Sequence, residues 1–430
     1  MSLKADARAI LLAGIDAVRP RNLLPQAVSL SDGQLRVADY AVDLTRHRKL
    51  HLFGCGKAAE AMAECIEALL GEHLAEGLIV GLPGEHRPLK SRIVEASHPV
   101  PSQRSIDAAL RIKQAMSALT EDDFFIFLLS GGASAMLEIP LPPITLDELT
   151  QTGKLLLASG LDITRINAVR KHLSQIKGGR LAEALRAPGL ILVISDVIGD
   201  RLDTIGSGPL YCDDTSYREA IDWLREARVF DRLPASVRDV LEQGARGEIA
   251  ETPKTLNPGI THVIIGTNRI ALDAARQRAE DLGYRTEIRD TAQTGEASEV
   301  ARRRARDFLQ ATAAQHRVCQ LFGGETTVTF DRSGQGGRNQ EFVLAALAEL
   351  HGEDNVCVAA AGSDGIDGNS PAAGAVADAA TFAMAQAQGL ALDDHLARHD
   401  SYNYFKATDD LIISGPTGTN VMDISLFLKG

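Results

Sequence analysis

The stretch Cys319-Gln320-Leu321-Phe322-Gly323-Gly324-Glu325-Thr326-Thr327-Val328, continued by Gly334-Gln335-Gly336-Gly337-Arg338-Asn339-Gln340-Glu341-Phe342, reads as a strand, a glycine loop and a helix in succession. A short apolar run empties into paired glycines, and the apolar pattern resumes from Phe342 to Leu347. Glycines let backbone N–H groups approach an anion closely, and an arginine at the mouth of a helix supplies a planar fork of donors for phosphate or carboxylate. A turn that merely needs positive φ would account for the glycines, but it would not ask for Glu325, Arg338, Asn339 and Glu341 among them. The stretch therefore predicts an α/β unit whose loop is an anion site.

The same grammar recurs. Apolar runs at 50–53, 124–129, 190–194, 263–265, 318–322 and 356–360 each lead into a glycine, serine or alanine loop and then a helical pattern. This predicts an α/β protein of parallel strands with crossover helices, whose ligands sit in loops at the carboxyl ends of the strands. With 430 residues the chain exceeds one ordinary core, and the Pro-bearing segment 246–259 interrupts the pattern. The expected domains are 1–255 and 256–430, with the active site in the cleft between them.

Composition narrows the classes of function. Apolar residues make up 45% and charged residues 24%, and no apolar run approaches the roughly 18 residues of a membrane span. A net charge of -12 argues against nucleic acid and anionic membrane as partners, so an anionic substrate must be held by a local cluster of cations. The five cysteines, Cys55, Cys65, Cys212, Cys319 and Cys357, form no Cys-x-x-Cys pair and suit packing in a reducing compartment. The N-terminal segment has no uninterrupted apolar core or small-residue cleavage site. A cytoplasmic protein is expected, with a homodimer compatible.

Several loops carry chemistry. Gly54-Cys55-Gly56-Lys57-Ala58 follows a strand and places a lysine at the start of a helix, where it opposes the helix dipole unless an anion is near. It fits a loose dinucleotide-binding string, yet the next strand ends in Gly81-Leu82-Pro83-Gly84 with no acid to grip a ribose. Ser130-Gly131-Gly132-Ala133-Ser134 offers N–H groups and two hydroxyls. Asp196, Asp364 and Asp367 lie on strand-end loops, where carboxylates suit Mg2+ or a base for a hydroxyl. Ser414-Gly415-Pro416-Thr417-Gly418-Thr419-Asn420 is a further phosphate cradle, and Asn268 opens the helix after Gly266. His98, between Ser97 and Pro99, reads as structural. The row Asn167, Arg170, Lys171, Ser174, Lys177 reads as the solvated side of a helix continuing to Ile176. Thr145 and Glu148 read as a capping box.

Taken in order, Gly54 to Ala58, Ser97-His98-Pro99-Val100-Pro101, Ser130 to Ala135, Asn167 to Ser174 and Ile176 to Ala182 resemble one family. So do Gly206-Ser207-Gly208-Pro209, Gly336 to Glu341, Ala361 to Gly368 and Gly415 to Val421. The chain is similar to the glycerate 2-kinases of the MOFRL type from its first helix to Leu428. The resemblance implies an N-terminal Rossmann-like domain, a C-terminal MOFRL domain and transfer of phosphate from ATP, with Mg2+, to the 2-hydroxyl of D-glycerate. It also implies Lys57 and Arg338 as a pair facing the cleft. Ile198 stands where Pro is expected, and Met422 where a polar residue is expected.

The expected roles follow. Lys57, Arg338, Asp196 and Asp364 are catalytic candidates, and Asp196, Asp364 and Asp367 are metal candidates. Gly54, Gly56, Ser130, Gly131, Gly132, Ser134, Asn268, Gly323, Gly324, Glu325, Thr417 and Asn420 are expected to hold the nucleotide. Two other classes stay open: an NAD(P)H-dependent hydroxypyruvate reductase, a label the family has also carried, and a non-catalytic phosphosugar-binding regulator.

Overall fold

A computed structural model describes residues 2–84, 86–87, 89–329 and 334–430; positions 330–333 of the opening stretch lie outside them. The chain divides into two compact units, 24–265 and 1–23 with 266–430. Among the described residues no helix is long and apolar enough to cross a membrane.

The first unit is built on a six-stranded sheet with the spatial order Arg92–Glu95, Leu74–Gly81, Leu50–Cys55, Phe124–Leu129, Gly189–Ile194, Ile260–Gly266. The first five strands pair in parallel. Leu50–Cys55, Phe124–Leu129 and Gly189–Ile194 are buried at every position, which is why the last two read as unbroken apolar runs and the first is interrupted only by the buried His51. Helices Ala59–Leu70 and Gln103–Ser117 supply crossovers, and a three-stranded antiparallel meander over Val28–Asp43 precedes them. The strand Ile260–Gly266, read as the restart of the α/β pattern, is the edge of this sheet, and the division falls at its last residue, between 265 and 266.

The second unit also has six strands, but its sheet is mixed. Its order is Arg285–Gln293, Val318–Gly324, Asp423–Lys429, Val356–Gly362, Gly374–Asp378, Leu411–Ile412. Arg285–Gln293 and Val318–Gly324 are parallel, and the C-terminal strand Asp423–Lys429 is inserted antiparallel between Val318–Gly324 and Val356–Gly362. Those two flanking strands still run the same way, so their carboxyl ends meet the start of the inserted strand. In register, Gly324 and Gly362 both sit opposite Asp423.

Helix Leu3–Ala17 belongs to this second unit because its apolar face needs cover. It packs on helix Asn268–Asp281 and on the strands Val356–Gly362 and Asp423–Lys429. Ile10, Leu11 and Ile15 are fully buried there, each contributing roughly 1.5–3 kcal/mol. Gly14 permits the approach: a Cβ on it would stand 2.8 Å from the Ala271 carbonyl oxygen and 2.9 Å from Ile424.

Candidate active site

In the first unit the candidates gather at the carboxyl ends of Leu50–Cys55, Phe124–Leu129 and Gly189–Ile194. The Lys57 N–H donates to the Gly131 carbonyl (2.9 Å) and the Ser130 N–H to the Cys55 carbonyl (3.2 Å), so the two loops continue the sheet's pairing beyond its edge. Gly56, at φ 123°, leaves no room for a side chain, since its Cβ would meet the Ser130 carbonyl oxygen at 2.5 Å. A Cβ at Gly131 would fall 1.7 Å from Oδ2 of Asp196, so the missing side chain is what lets the Asp196 carboxylate lie against this turn. Around Gly132 the ring of His98 and the Cγ of Lys57 come within 3.2–3.4 Å of the same virtual position. Lys57, His98, Gly132 and Asp196 are thus one group.

The loops also spend some candidates on their own folding. The buried Ser130 hydroxyl accepts from the Ala58 N–H (3.0 Å) and so latches the start of the helix Ala59–Leu70. Gly54 lies within its strand against Ile79 and Leu128. Ser134 sits half-buried in the four-residue helix Ala133–Met136. His98, read as structural, lies with Lys57 against the Gly132 turn; its place in the Ser-His-Pro-Val-Pro string was the available signal.

In the second unit the centre is Arg338. Its Nε and Nη2 donate to the two oxygens of Asp423 at 2.6 and 3.0 Å, and Nη1 lies 2.6 Å from Glu325. Burial alone would lower the pKa of this guanidinium, but the Asp423 and Glu325 carboxylates more than offset it, and the group is held charged. Two carboxylates against one cation leave the trio net negative. Arg338 is therefore no bare anion trap; it offers direction, through the N–H donors that Asp423 and Glu325 do not use. Asp364 joins the group: its Oδ1, the Asp423 Oδ1 and the Asn339 Nδ2 lie 3.3–3.5 Å from where a Gly362 Cβ would stand. Asp423 was missed in the sequence because it opens a strand, beyond every glycine-rich string.

Five other candidates, Asp367, Asn268, Thr417, Asn420 and Gly324, have contacts that serve the fold. Asp367 is fully engaged: one oxygen accepts from the Asn339 N–H and side-chain amide, the other from the Gln340 N–H and side-chain amide. It caps the helix Arg338–Leu350, and burial pushes its carboxyl up to about 6. Asn268 is buried beside Gly323 and its amide ties down the carbonyls of Val421 and Asp423 (2.9 Å each), so it braces the inserted strand. The Thr417 hydroxyl donates to the Ser363 carbonyl (2.6 Å), and Asn420 Oδ1 accepts from the Met422 N–H (3.2 Å); both shape the loop. Gly324 has φ 136° because Gln293 backbone crosses it. Among the described residues no three His, Cys, Asp or Glu side chains gather as a metal cage.

The cationic row is corrected as well. The helix ends at His172, and Lys171, Ser174 and Lys177 are buried rather than solvated. Lys171 pairs with Asp203 and Asp213, His172 with Glu251, and Lys177 with Glu138. Met422 adopts φ 70° while buried, a left-handed conformation that asparagine accepts more readily, which explains the polar residue expected there. The five cysteines are free, and Thr145 with Glu148 forms the expected capping box.

Each α/β unit thus gathers carboxylates, a cation and close-approach glycines beyond the ends of its strands, the equipment of an enzyme site. Known proteins agree. Residues 6–242 match the "Domain of unknown function (DUF4147)" family and residues 318–423 the MOFRL family. The glycerate 2-kinase of Pyrococcus horikoshii is 36% identical over 95% of this chain and 93% of its own. The D-glycerate 2-kinase of Thermotoga maritima is 38% identical over 88% and 90%. The crystal structure of the Thermotoga maritima glycerate kinase superposes with a TM-score of 0.85 at 35% identity, covering 100% of this chain and 99% of that one. A relative from Agrobacterium vitis, 38% identical over 95% and 94%, carries the name of a hydroxypyruvate reductase. The chain belongs to the DUF4147 and MOFRL family of glycerate kinases.

Proposed function

We propose that the protein is a glycerate 2-kinase, transferring a phosphoryl group from ATP to the 2-hydroxyl of D-glycerate with the help of Mg2+. The observation that carries this reading is the set of aimed charges, Arg338 at a helix start with Asp423 and Asp364 at strand ends, in a chain whose length resembles glycerate kinases.

Phosphoryl transfer asks a protein for positioning and charge stabilisation more than for covalent chemistry. Arg338, fixed by two carboxylates, presents its remaining N–H donors to a phosphoryl or carboxylate oxygen. Lys57 supplies a point charge beside the Gly131-Gly132 turn. A carboxylate, Asp196 or Asp364, accepts the hydroxyl proton as the hydroxyl oxygen forms its bond to the γ-phosphorus and the bond from that phosphorus to the bridging oxygen breaks, releasing ADP. The carboxylates present fit a Mg2+ held mainly by phosphates and water, since that ion usually takes only one or two protein carboxylates. When bound it neutralises developing phosphate charge. The group around Lys57 and the group around Arg338 are the two sets of charge that this reading assigns to the reaction, and exclusion of water from the transferring phosphoryl keeps it from hydrolysis. A cytoplasmic location, a small-molecule substrate with no nucleic-acid or membrane partner, and a homodimer as the assembly to test go with it.

The test is phosphorus NMR of the product formed from ATP and D-glycerate. A 2-phosphoglycerate signal is expected; oxidation of NADH with hydroxypyruvate and no ATP would favour the reductase, for which the strand Leu74–Gly81 offers no ribose-binding acid at its end.

A further inference from the structure

The glycine loop that ends at Arg338 is gripped from outside the site, and the grip leaves another helix without its side-chain cap. Asp400 stands at the N-cap of helix Ser401–Ala407, where an aspartate ordinarily accepts an N–H of its own first turn, yet its side chain makes no such bond. Its Oδ1 instead accepts the Gln335 N–H (3.1 Å) and the Asn403 side-chain amide (2.7 Å), while its Oδ2 lies 3.4 Å from Nδ1 of His395. A carboxylate held on both oxygens has one direction to face, and this one faces the loop.

The neighbours of Asp400 hold the same segment. The Tyr402 N–H donates to the Gln335 carbonyl (2.9 Å), and Nδ1 of His399 meets Oε1 of Glu341, in the first turn of the Arg338 helix, at 3.2 Å. From the other side Asn369 accepts the Gly336 N–H on Oδ1 (2.8 Å) and donates through Nδ2 to the Gly334 carbonyl (3.2 Å). A Cβ on Gly334 would overlap the Arg398 and His399 carbonyl oxygens, and one on Gly336 the Ser401 hydroxyl. The N–H groups of Gln335 and Gly336, which the glycine pattern offers to an anion, are thus committed to side chains of the protein. This part of the loop is an arm for Arg338 rather than a cradle.

We propose that Asp400 is a positioning residue: by holding Gln335 it fixes the direction in which Arg338 presents its fork, and Asn369 completes the grip. The role rests on the reading of Arg338 as the clamp of a kinase, whereas the grip itself is measured without substrate.

Steady-state kinetics, melts and hydrogen exchange on the full chain test it. Asp400→Ala lowers kcat about tenfold or more and leaves KM for D-glycerate within about threefold, since a misplaced clamp acts on the transition state. Asp400→Ser, too short for Gln335 but a good cap for its own helix, loses as much kcat while melting near wild type. Asp400→Asn keeps an oxygen for the Gln335 N–H and stays within about threefold of wild type. In an Arg338→Ala background, followed with radiolabelled ATP, Asp400→Ala changes kcat no further, whereas a purely structural role repeats its loss there. Without ligand, the amides of Gly334 to Glu341 exchange at least about tenfold faster in Asp400→Ala. Unchanged exchange overturns the grip. An undiminished loss in the Arg338→Ala background, or full kcat in Asp400→Ser, overturns the action through Arg338. A wild type that forms no 2-phosphoglycerate refutes the kinase reading instead, and exchange then decides the grip alone.

Discussion

Replacing Asp423 by asparagine tests whether the Arg338 guanidinium is aimed by the inserted strand. The wild-type carboxylate accepts two hydrogen bonds from Arg338, at 2.6 and 3.0 Å. An asparagine keeps one oxygen and turns an amide NH2 toward the other donor, so one charged hydrogen bond is lost and the other becomes charged-to-neutral. A hydrogen bond to a charged group contributes about 1.5–3 kcal/mol. The Arg338 side chain is 32% exposed and keeps Glu325, so water and that carboxylate recover part of the loss. The net cost should be about 2 kcal/mol, or roughly 4–8 °C in the melting temperature of a unit of this size.

Activity should respond more than stability. Loss of one anchor lets the fork swing about its Glu325 contact, and misplacement of a charged clamp by an ångström costs on the order of 10²-fold in rate. Asp423→Asn should therefore lower kcat by about 10- to 100-fold, with a small change in KM for D-glycerate, in a coupled assay that follows ADP release. Backbone pairing of Asp423 with Gly324 and Gly362 does not involve the side chain, so the sheet should persist. A variant that melts lower but keeps kcat within about twofold would refute the reasoning and reduce the Arg338 pair to a strap between strand and helix.

Other outcomes follow from single contacts. Arg338→Lys keeps the charge and loses the planar fork, so kcat/KM should fall about 10²-fold or more without full loss of folding, read by kinetics and melts together. Asp364→Asn should lower turnover far more than melting temperature, because Asp364 is half-buried at a strand end and its Oδ1 accepts one backbone N–H; unchanged kcat would shift the proton-accepting role to Asp196. Asp367→Ala should do the reverse, costing about 2 kcal/mol by stripping the cap from two helical N–H groups, measured by urea unfolding. For Glu251, burial would raise the carboxyl pKa, but the His172 hydrogen bond and the Tyr217 N–H outweigh it and hold it at about 2, below the ordinary 4.5. A depressed carboxyl stabilises the fold above its unfolded pKa and loses that contribution as pH falls, here between about 4.5 and 2. The stability gap between wild type and Glu251→Gln should thus be open at pH 6 and close toward pH 2 in denaturant titrations.

The first sheet was legible in the sequence because its inner strands are buried on both faces. Phe124–Leu129 and Gly189–Ile194 have to be apolar throughout, and unbroken runs bounded by glycine or serine are what parallel pairing leaves in a sequence. The second sheet was harder for a physical reason. Val318–Gly324 and Val356–Gly362 look like neighbours in a parallel sheet and do run the same way, but the strand between them comes from the last seven residues before Gly430. No local pattern announces an insertion made across sixty residues. Helix Leu3–Ala17 poses the same difficulty, since its apolar face is complete in the sequence while its partner, Asn268–Asp281, lies more than 250 residues away.

The site residues divide by the same logic. Close-approach glycines such as Gly56 and Gly131 were legible because a turn without a side chain has few other uses when a charged residue stands beside it. The buried ion pairs were not, because a lysine in an apparently helical pattern reads alike whether its partner is water or a carboxylate elsewhere in the chain. Lys171 and Lys177 each depend on acids elsewhere in the chain, Asp203 with Asp213 and Glu138 respectively. Breaking such a pair from one side leaves a buried charge uncompensated, at a cost of about 3–5 kcal/mol, whereas replacing both partners by apolar groups of similar volume is often neutral. Lys177→Met should therefore be strongly destabilising alone and markedly less so with Glu138→Leu, a double-mutant comparison by urea unfolding. If the two losses simply add, the pair contributes nothing that its members do not contribute separately, and the buried-pair account of Lys177 is refuted.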